Sequence, residues 1–265
     1  MAEQMGYGDF DRLAFERPAA GVLRVLIDTE RFPMCDERMH RELGDVWSVV
    51  DADATVRAVL VEGNGADFSG PGTPEMVGSL GADHDTRVRV MAEARRIVYG
   101  VVRCTKPVVA VLHGQVMGAG LGVGLLADVS IAARQAVLVD AHVQIGVVPG
   151  DHALLCWPAL CGLAKAKYHL LTGEPVTGEE AERIGLVALA VDDADARGRG
   201  LDVAQRLAAG SAVAISQTKQ LLNAWYEQAG PTFETSVALE FMGFAGPDFH
   251  EALAAFAAQR PPRFA

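Results

Sequence analysis

KPVVAVLHGQVMGAGLGVGLLAD, residues 106–128, is the stretch whose reading decides the fold. Its opening, PVVAVL (107–112), is a continuous apolar run, the pattern of a strand buried on both faces. Gly118-Ala119-Gly120-Leu121-Gly122 then starts a short helix that ends near Asp128. A buried strand that feeds a glycine-rich turn into a helix leaves the helix's first N–H groups unpaired, beside the positive end of its dipole. A carbonyl oxygen gaining negative charge is stabilised there, and glycine lets it approach closely. A second glycine-rich loop, Phe68-Ser69-Gly70-Pro71-Gly72-Thr73, follows an earlier strand and offers a second donor. GVGLLA (122–127) also fits the dinucleotide pattern G-x-G-x-x-A. It lies inside the helix rather than at its start, which argues against a nucleotide fold.

Outward from this stretch, the first two-thirds of the chain alternates short β-rich runs with helical ones. Residues 13–16 and 22–28 read as a hairpin closed around Pro18–Gly21. Asp36 caps a helix reaching about residue 51, with Met39, Leu43, Val46, Trp47 and Val50 on one face. VRAVLVE (56–62) is a strand, and Asn64-Gly65 a turn. A polar Gly/Pro loop over 69–85 leads into a helix over 86–103, and short strands are expected at 129–132 and 137–139. After residue 153 the pattern is almost entirely helical: 153–172, 178–185, 193–209, 211–228, 231–245 and 248–258. Strands first and helices last predict an α/β body with a helical C-terminal portion. No fixed-period repeat is present.

Composition narrows the class. Of 265 residues, half are hydrophobic and 22% charged, as in a globular protein, and the formal charge is −11. That balance argues against nucleic-acid or anionic-membrane partners, which need a basic face. Cys35, Cys104, Cys156 and Cys161 lack CxxC pairing or a zinc-finger His partner, and read as reduced thiols. The N-terminal MAEQMGYGDFDRL lacks the apolar segment of a signal peptide, and the longest apolar run, 116–127, is too short for a bilayer. A cytoplasmic protein is expected. No cluster with metal-ligand spacing is apparent, so no metal is expected.

The arrangement resembles the crotonase (enoyl-CoA hydratase/isomerase) superfamily, over nearly the whole chain. The likeness rests on VRAVLVEGNGADFSG (56–70), the 106–128 stretch, IGVVPGDHALLCWPALCGLAKAKYHLLTGEPVTGEEAERIGLV (145–187) and DFHEALAAFAAQRPPRF (248–264) together. It implies a crotonase-like spiral of ββα turns over residues 1–200 and a helical trimerisation region over 201–265, in a homotrimer or homohexamer. It further implies an oxyanion hole built from the N–H groups of Gly72 and Ala119, with Phe256 and Arg260 at positions that contact coenzyme A. No permanently bound cofactor is implied; a coenzyme A thioester would be part of the substrate.

The departures from that family carry as much information. Hydratases have one catalytic Glu just after the glycine-rich helix start and a second about twenty residues on; here those positions hold Gly122 and His142. The first oxyanion loop has Pro71 where relatives often have Gly, and Thr73 where many have Asp. His142 lies nine residues before Asp151, in a Gly/Pro-bounded segment expected to close like a hairpin, so that Asp151 would orient the imidazole. This pattern resembles the 6-oxocamphor hydrolase branch, which cleaves carbon–carbon bonds of β-diketones. That branch also has an H-x-E-L element, here His40-Arg41-Glu42-Leu43, and a carboxylate in the C-terminal helices, best matched by Glu240. A further histidine of the branch falls at about Gly120 and is absent.

The expected function is therefore hydrolysis or carbon–carbon cleavage of a β-dicarbonyl or acyl-CoA substrate by a His142–Asp151 dyad, with Glu240 and His40 as further catalytic candidates. Two alternatives stand beside it: a hydratase or isomerase in which His142 replaces one Glu, and a catalytically weak acyl-CoA-binding protein. Asp151 can equally cap the helix that follows it, and Asp140 reads as a polar strand end. Asp128 is expected to close the short helix locally, and Trp47, Trp157 and Trp225 to be core or helix-face residues.

Overall fold

A computed structural model describes residues 5–264. The first four residues of the N-terminal stretch, and Ala265, lie outside the described residues. The hairpin forms as expected: β1 (Leu13–Ala19) pairs antiparallel with β2 (Val22–Ile27). Asp36 caps α1 (Glu37–Ala52), its carboxylate accepting from Met39 N at 2.8 Å. β3 (Ala58–Gly63) follows, buried along its whole length.

The loop expected over 69–85 contains a helix, α2 (Pro74–Ala82), which runs almost directly into α3 (His84–Arg103). The helix-start signal was present: Thr73 accepts from Met76 N at 3.2 Å, and Pro74 occupies the first turn, where a missing N–H costs nothing. Glycines at 78 and 81 dilute the periodicity that would otherwise mark the segment.

β4 (Val108–Leu112) is fully buried and is followed by a two-residue strand, β5 (Gln115–Val116), and α4 (Gly118–Leu126). β6 (Val129–Ala133) and β7 (Val137–Leu138) come next, then a single turn of 3-10 helix at His142–Ile145 and the long α5 (Ala153–Thr172). The segment expected to close like a hairpin is thus a tight helical turn that ends in left-handed Gly146. Beyond residue 153 two further strands interrupt the helices: β8 (Val176–Thr177) precedes α6 (Gly178–Ile184), and β9 (Leu189–Val191) follows it. Both are shorter than the period needed to distinguish them from helix. The chain ends with α7 (Ala196–Ala209), α8 (Ala212–Gln228), α9 (Gly230–Gly243) and α10 (Pro247–Ala257).

The main sheet has the order β1-β2-β3-β4-β6-β9, parallel from β2 onward, and a small sheet has the order β5-β7-β8. The spiral follows from this order. Each turn places one strand in the main sheet, crosses to the small one and returns through a helix: β4, β5, α4, then β6, β7, α5. β3 opens the same cycle, because Ser69 bridges Val116 beside the small sheet before α2 begins. α7 packs across β2, β3, β4 and β6, and Arg57 Nε donates to Ala208 O at 2.6 Å. A boundary at residue 200 would cut this helix, so the helical C-terminal portion begins with α8 instead. No helix of the described residues is long and apolar enough to cross a membrane.

Candidate functional site

The two glycine-rich loops meet at one wall of an apolar cavity of about 340 Å³. Cys35 N donates to Pro71 O at 2.8 Å, and Thr73 N donates to Cys35 O at 2.9 Å. This parallel bridge uses the groups on either side of Gly72 and turns the Gly72 N–H to the opposite edge, where the residue lines the cavity. Ala119 lies in the first turn of α4, where an N–H has no acceptor within its own helix, and it lines the same cavity. Gly118 brings the loops together: its φ is +59°, and a Cβ there would approach Gly70 O to 3.0 Å. Ser69 Oγ clamps the junction by donating to Met117 O at 2.9 Å. Two backbone donors, one at a helix N-terminus, can there receive an oxygen that becomes negative.

A compact titratable cluster lines the same cavity. Asp140, just past β7, is 5% exposed, and its Oδ1 lies 2.9 Å from His142 Nδ1. An ionised carboxylate can only accept, so this contact places the imidazole proton on Nδ1 and leaves Nε2 as the basic nitrogen. Nε2 faces Glu240 Oε1 at 3.5 Å and Asp151 Oδ1 at 3.7 Å. Ser236 Oγ, on α9, donates to Gly150 O at 2.9 Å, which ties that helix to the turn carrying Asp151 and brings Glu240 into the cluster.

The expected orientation of His142 by Asp151 is corrected here. The carboxylate within hydrogen-bond distance of the ring is Asp140, two residues earlier and just before the 3-10 turn. Asp151 Oδ1 lies instead 2.7 Å from His152 Nδ1, a close charge contact without hydrogen-bond alignment. Nor does Asp151 cap α5: His152 occupies the N-cap position, with no side-chain capping bond. Asp140, read from the sequence as a polar strand end, is instead the partner of the ring, and His152, only 2% exposed, joins the cluster without having been a catalytic candidate. The Asp-x-His spacing at 140–142 was the available signal, since an Asp side chain accepts readily from the N–H two residues on, here at 3.3 Å, and so meets that residue's ring.

Burial alone would lower the His142 imidazole, but Asp140, Asp151 and Glu240 together raise it well above its ordinary value. Burial and the Asp151 charge push the Glu240 carboxyl up to about 7, against the pull of His142. Asp151 goes the other way, because the His152 and His142 cations outweigh its burial and hold it below the usual carboxylate range. Two carboxyl groups in one site are thereby separated into an acid and a base.

The remaining candidates are placed as follows. His40 lines the cavity and is held by Glu93 at 3.0 Å, a partner not foreseen. Phe256 stands at the cavity with three-quarters of its surface exposed, while Arg260 pairs with Glu251 at 2.5 Å and does not line the cavity. Asp128 reaches much further than its own helix: it accepts from Val108 N at 2.7 Å and pairs with buried Lys219 at 2.8 Å. Trp47 and Trp157 are core residues, but Trp225 is 70% exposed on α8. His142, Asp151 and Glu240 offer three ligand atoms within 4.8 Å of one another, the group among the described residues that can hold an ion. Sequence spacing could not show it, because Glu240 arrives from a distant helix.

A spiral of parallel strands whose glycine-rich loops open onto an apolar cavity is the crotonase architecture. The profile of the enoyl-CoA hydratase/isomerase family matches residues 20–265, and the chain belongs to that family. It is 30% identical over 233 residues to a probable enoyl-CoA hydratase of Bacillus subtilis, covering 86% of this chain and 88% of that one. Among solved structures it resembles an enoyl-CoA hydratase/isomerase from Mycobacterium paratuberculosis, with a TM-score of 0.88, 28% identity, and 93% and 99% of the two chains covered. A β-diketone hydrolase from the cyanobacterium Anabaena shares the fold with a TM-score of 0.83 over 92% and 98% of the two chains, at 21% identity.

Proposed function

We propose that this crotonase-superfamily enzyme hydrolyses a carbon–carbon bond of a β-dicarbonyl substrate, with His142 as the base. The carrying observation is the Asp140–His142 contact at 2.9 Å, which fixes the ring of a histidine that lines the same cavity as Gly72 and Ala119. In this reading His142 takes a proton from water, and the oxygen bonds to one carbonyl carbon. Collapse of the adduct breaks the bond to the α-carbon, whose electron pair passes to the second carbonyl as an enolate. The Gly72 and Ala119 amides hold that developing oxyanion. Glu240, protonated in part near neutrality, returns a proton to the α-carbon, and Asp151 balances the imidazolium. That this fold can carry such chemistry is attested by the Anabaena enzyme.

The geometry also opposes two-glutamate hydration. His142 occupies one glutamate position, and at the other a Cβ on Gly122 would lie 3.0 Å from both Cβ and Cγ of His152. A second reading, favoured by the family and by Phe256 beside the cavity, has a coenzyme A thioester bound and His142 doing the work of one glutamate. Crotonyl-CoA and a cyclic 1,3-diketone assayed side by side separate the two. General acid–base groups contribute about 10²–10⁴-fold each, so hydration should fall far below that of a two-glutamate enzyme. Hydration at a full hydratase rate, with the diketone untouched, overturns the proposal. Assembly is part of the same reading: Val213, Leu221, Leu222 and Trp225 leave an apolar face exposed on α8, as a homotrimer or homohexamer requires. Light scattering from a stable monomer at micromolar concentration would contradict it.

A further inference from the structure

We infer that His142, Asp151 and Glu240 form a binding site for one divalent transition-metal ion of the Zn²⁺ class, and that the ion stops the reaction proposed above by taking the Nε2 lone pair of His142. The inhibition rests on His142 being the base; the site itself stands on geometry. Nε2 lies 3.5 Å from Glu240 Oε1 and 3.7 Å from Asp151 Oδ1, and the three residues offer ligand atoms that all lie within 4.8 Å of one another. Nitrogen and oxygen donors at about 2.0–2.2 Å from a tetrahedral Zn²⁺ stand roughly 3.3–3.6 Å apart. Closure by a few tenths of an ångström around an ion therefore completes three ligands, and all three residues line the cavity through which it would enter.

Two further observations point to an ion. Asp140 Oδ1 sits 2.9 Å from Nδ1. An imidazole that binds a metal almost always gives its other N–H to a carboxylate, a carbonyl or water, which fixes the tautomer and leaves the bare nitrogen for the ion. The carboxylates, in turn, lack donors. Glu240 is 2% exposed, yet among the described residues its Oε2 has no hydrogen-bond partner. Nor has Asp151 Oδ1, which meets His152 Nδ1 at 2.7 Å without hydrogen-bond alignment. Buried charges are costly unless paired or bound to a metal, and a dication among these carboxylates offsets that cost. The donor set selects the ion. One imidazole and two carboxylates suit Zn²⁺ or Co²⁺, whereas Mg²⁺ and Ca²⁺ take about six oxygens or more. The cavity beside the cluster offers Val139, Ile145, Phe241 and Phe244 instead of further oxygen-bearing side chains, and leaves a fourth position to water.

The test titrates the chelator-treated protein with Co²⁺, without substrate, and follows the visible absorption of the bound ion before displacing it with Zn²⁺. One ion per chain should bind, with the intense bands of four-coordinate Co²⁺. His142→Ala should abolish those bands, and Glu240→Gln, which keeps the shape of the side chain and decides the matter where the Ala variant does not fold, should remove most of the binding. Asp140→Asn takes away no ligand and should weaken binding about 10–100-fold, the scale of a lost carboxylate behind a metal-bound imidazole. His250→Ala, at an exposed histidine outside the cavity, should change nothing. Zn²⁺ should halt diketone hydrolysis over the concentrations at which it displaces Co²⁺, and a chelator should restore the rate. No saturable binding of either ion at millimolar concentration overturns the site. So do bands that persist in the folded Ala and Gln variants, which would mean an adventitious ion only. Undiminished hydrolysis with Zn²⁺ bound overturns the inhibition. Where the diketone proves not to be a substrate, the spectra still decide the site, so the two readings fail separately.

Discussion

Replacing Asp140 by Asn removes one charge beside His142 while keeping the shape of the side chain, and the consequences follow from the contact itself. The carboxylate is 5% exposed and 2.9 Å from Nδ1, so it makes a charge-assisted hydrogen bond shielded from water. Such bonds contribute about 1.5–3 kcal/mol, or roughly 10- to 150-fold in rate at 1.36 kcal/mol per decade. An Asn can also present its NH₂ to the ring and select the wrong tautomer; the same change in a Ser-His-Asp triad costs about 10⁴-fold. The expected loss in kcat/KM for Asp140→Asn therefore lies between about 10- and 10⁴-fold. The pH profile moves as well. His142 must be neutral to accept a proton, and Asp140 is the strongest of the charges that raise it. With that charge gone the ascending limb shifts to lower pH, even as the maximum falls. Asp151→Asn should cost less, because Asp151 stands 3.7 Å from Nε2. Initial rates on a cyclic 1,3-diketone across the pH range, in variants with unchanged circular dichroism, measure all of this. A wild-type rate and unmoved limb in Asp140→Asn, or a larger loss in Asp151→Asn, would refute the assignment of Asp140.

Three further outcomes are expected. Ala119→Pro removes one backbone donor and should cost about 2.7–4 kcal/mol of transition-state stabilisation; a folded variant with full activity would place the oxyanion elsewhere. Lys219→Ala leaves Asp128, whose side chain is 17% exposed, without its cation and should destabilise the fold by about 1–3 kcal/mol. An unchanged urea midpoint would show that the pair contributes nothing net. Exhaustive chelation should leave the hydrolase rate intact, since no step needs an ion; lost activity restored by a divalent cation would assign the His142, Asp151 and Glu240 ligand atoms to a metal that the reaction needs.

The architecture was legible wherever the pattern was long. The strand and glycine-rich helix of 106–128, the Asp36 cap and the helices after residue 193 all read correctly, because apolar periodicity and capping residues are local signals. What escaped was short or long-range. β5, β8 and β9 have two or three residues each, too few for any period to register. α2 carried its signal in Thr73 and Pro74 but was masked by glycines. His142, Asp151, Glu240 and His40 were identified as candidates through a family likeness, and all four line one cavity. Their pairing was not legible. Whether Asp140 or Asp151 meets the ring depends on the local turn in which Asp140 accepts from His142 N, and the place of His152 depends on the missing side chain at Gly122.

Hydrolysis of a cyclic 1,3-diketone in ¹⁸O-labelled water tests the central claim most directly, with mass spectrometry on the product. The account predicts a ring-opened keto acid with one ¹⁸O in its new carboxylate, formed by the wild-type protein and reduced to a small residual rate in His142→Ala. Label-free product, or an undiminished rate in His142→Ala, would contradict it.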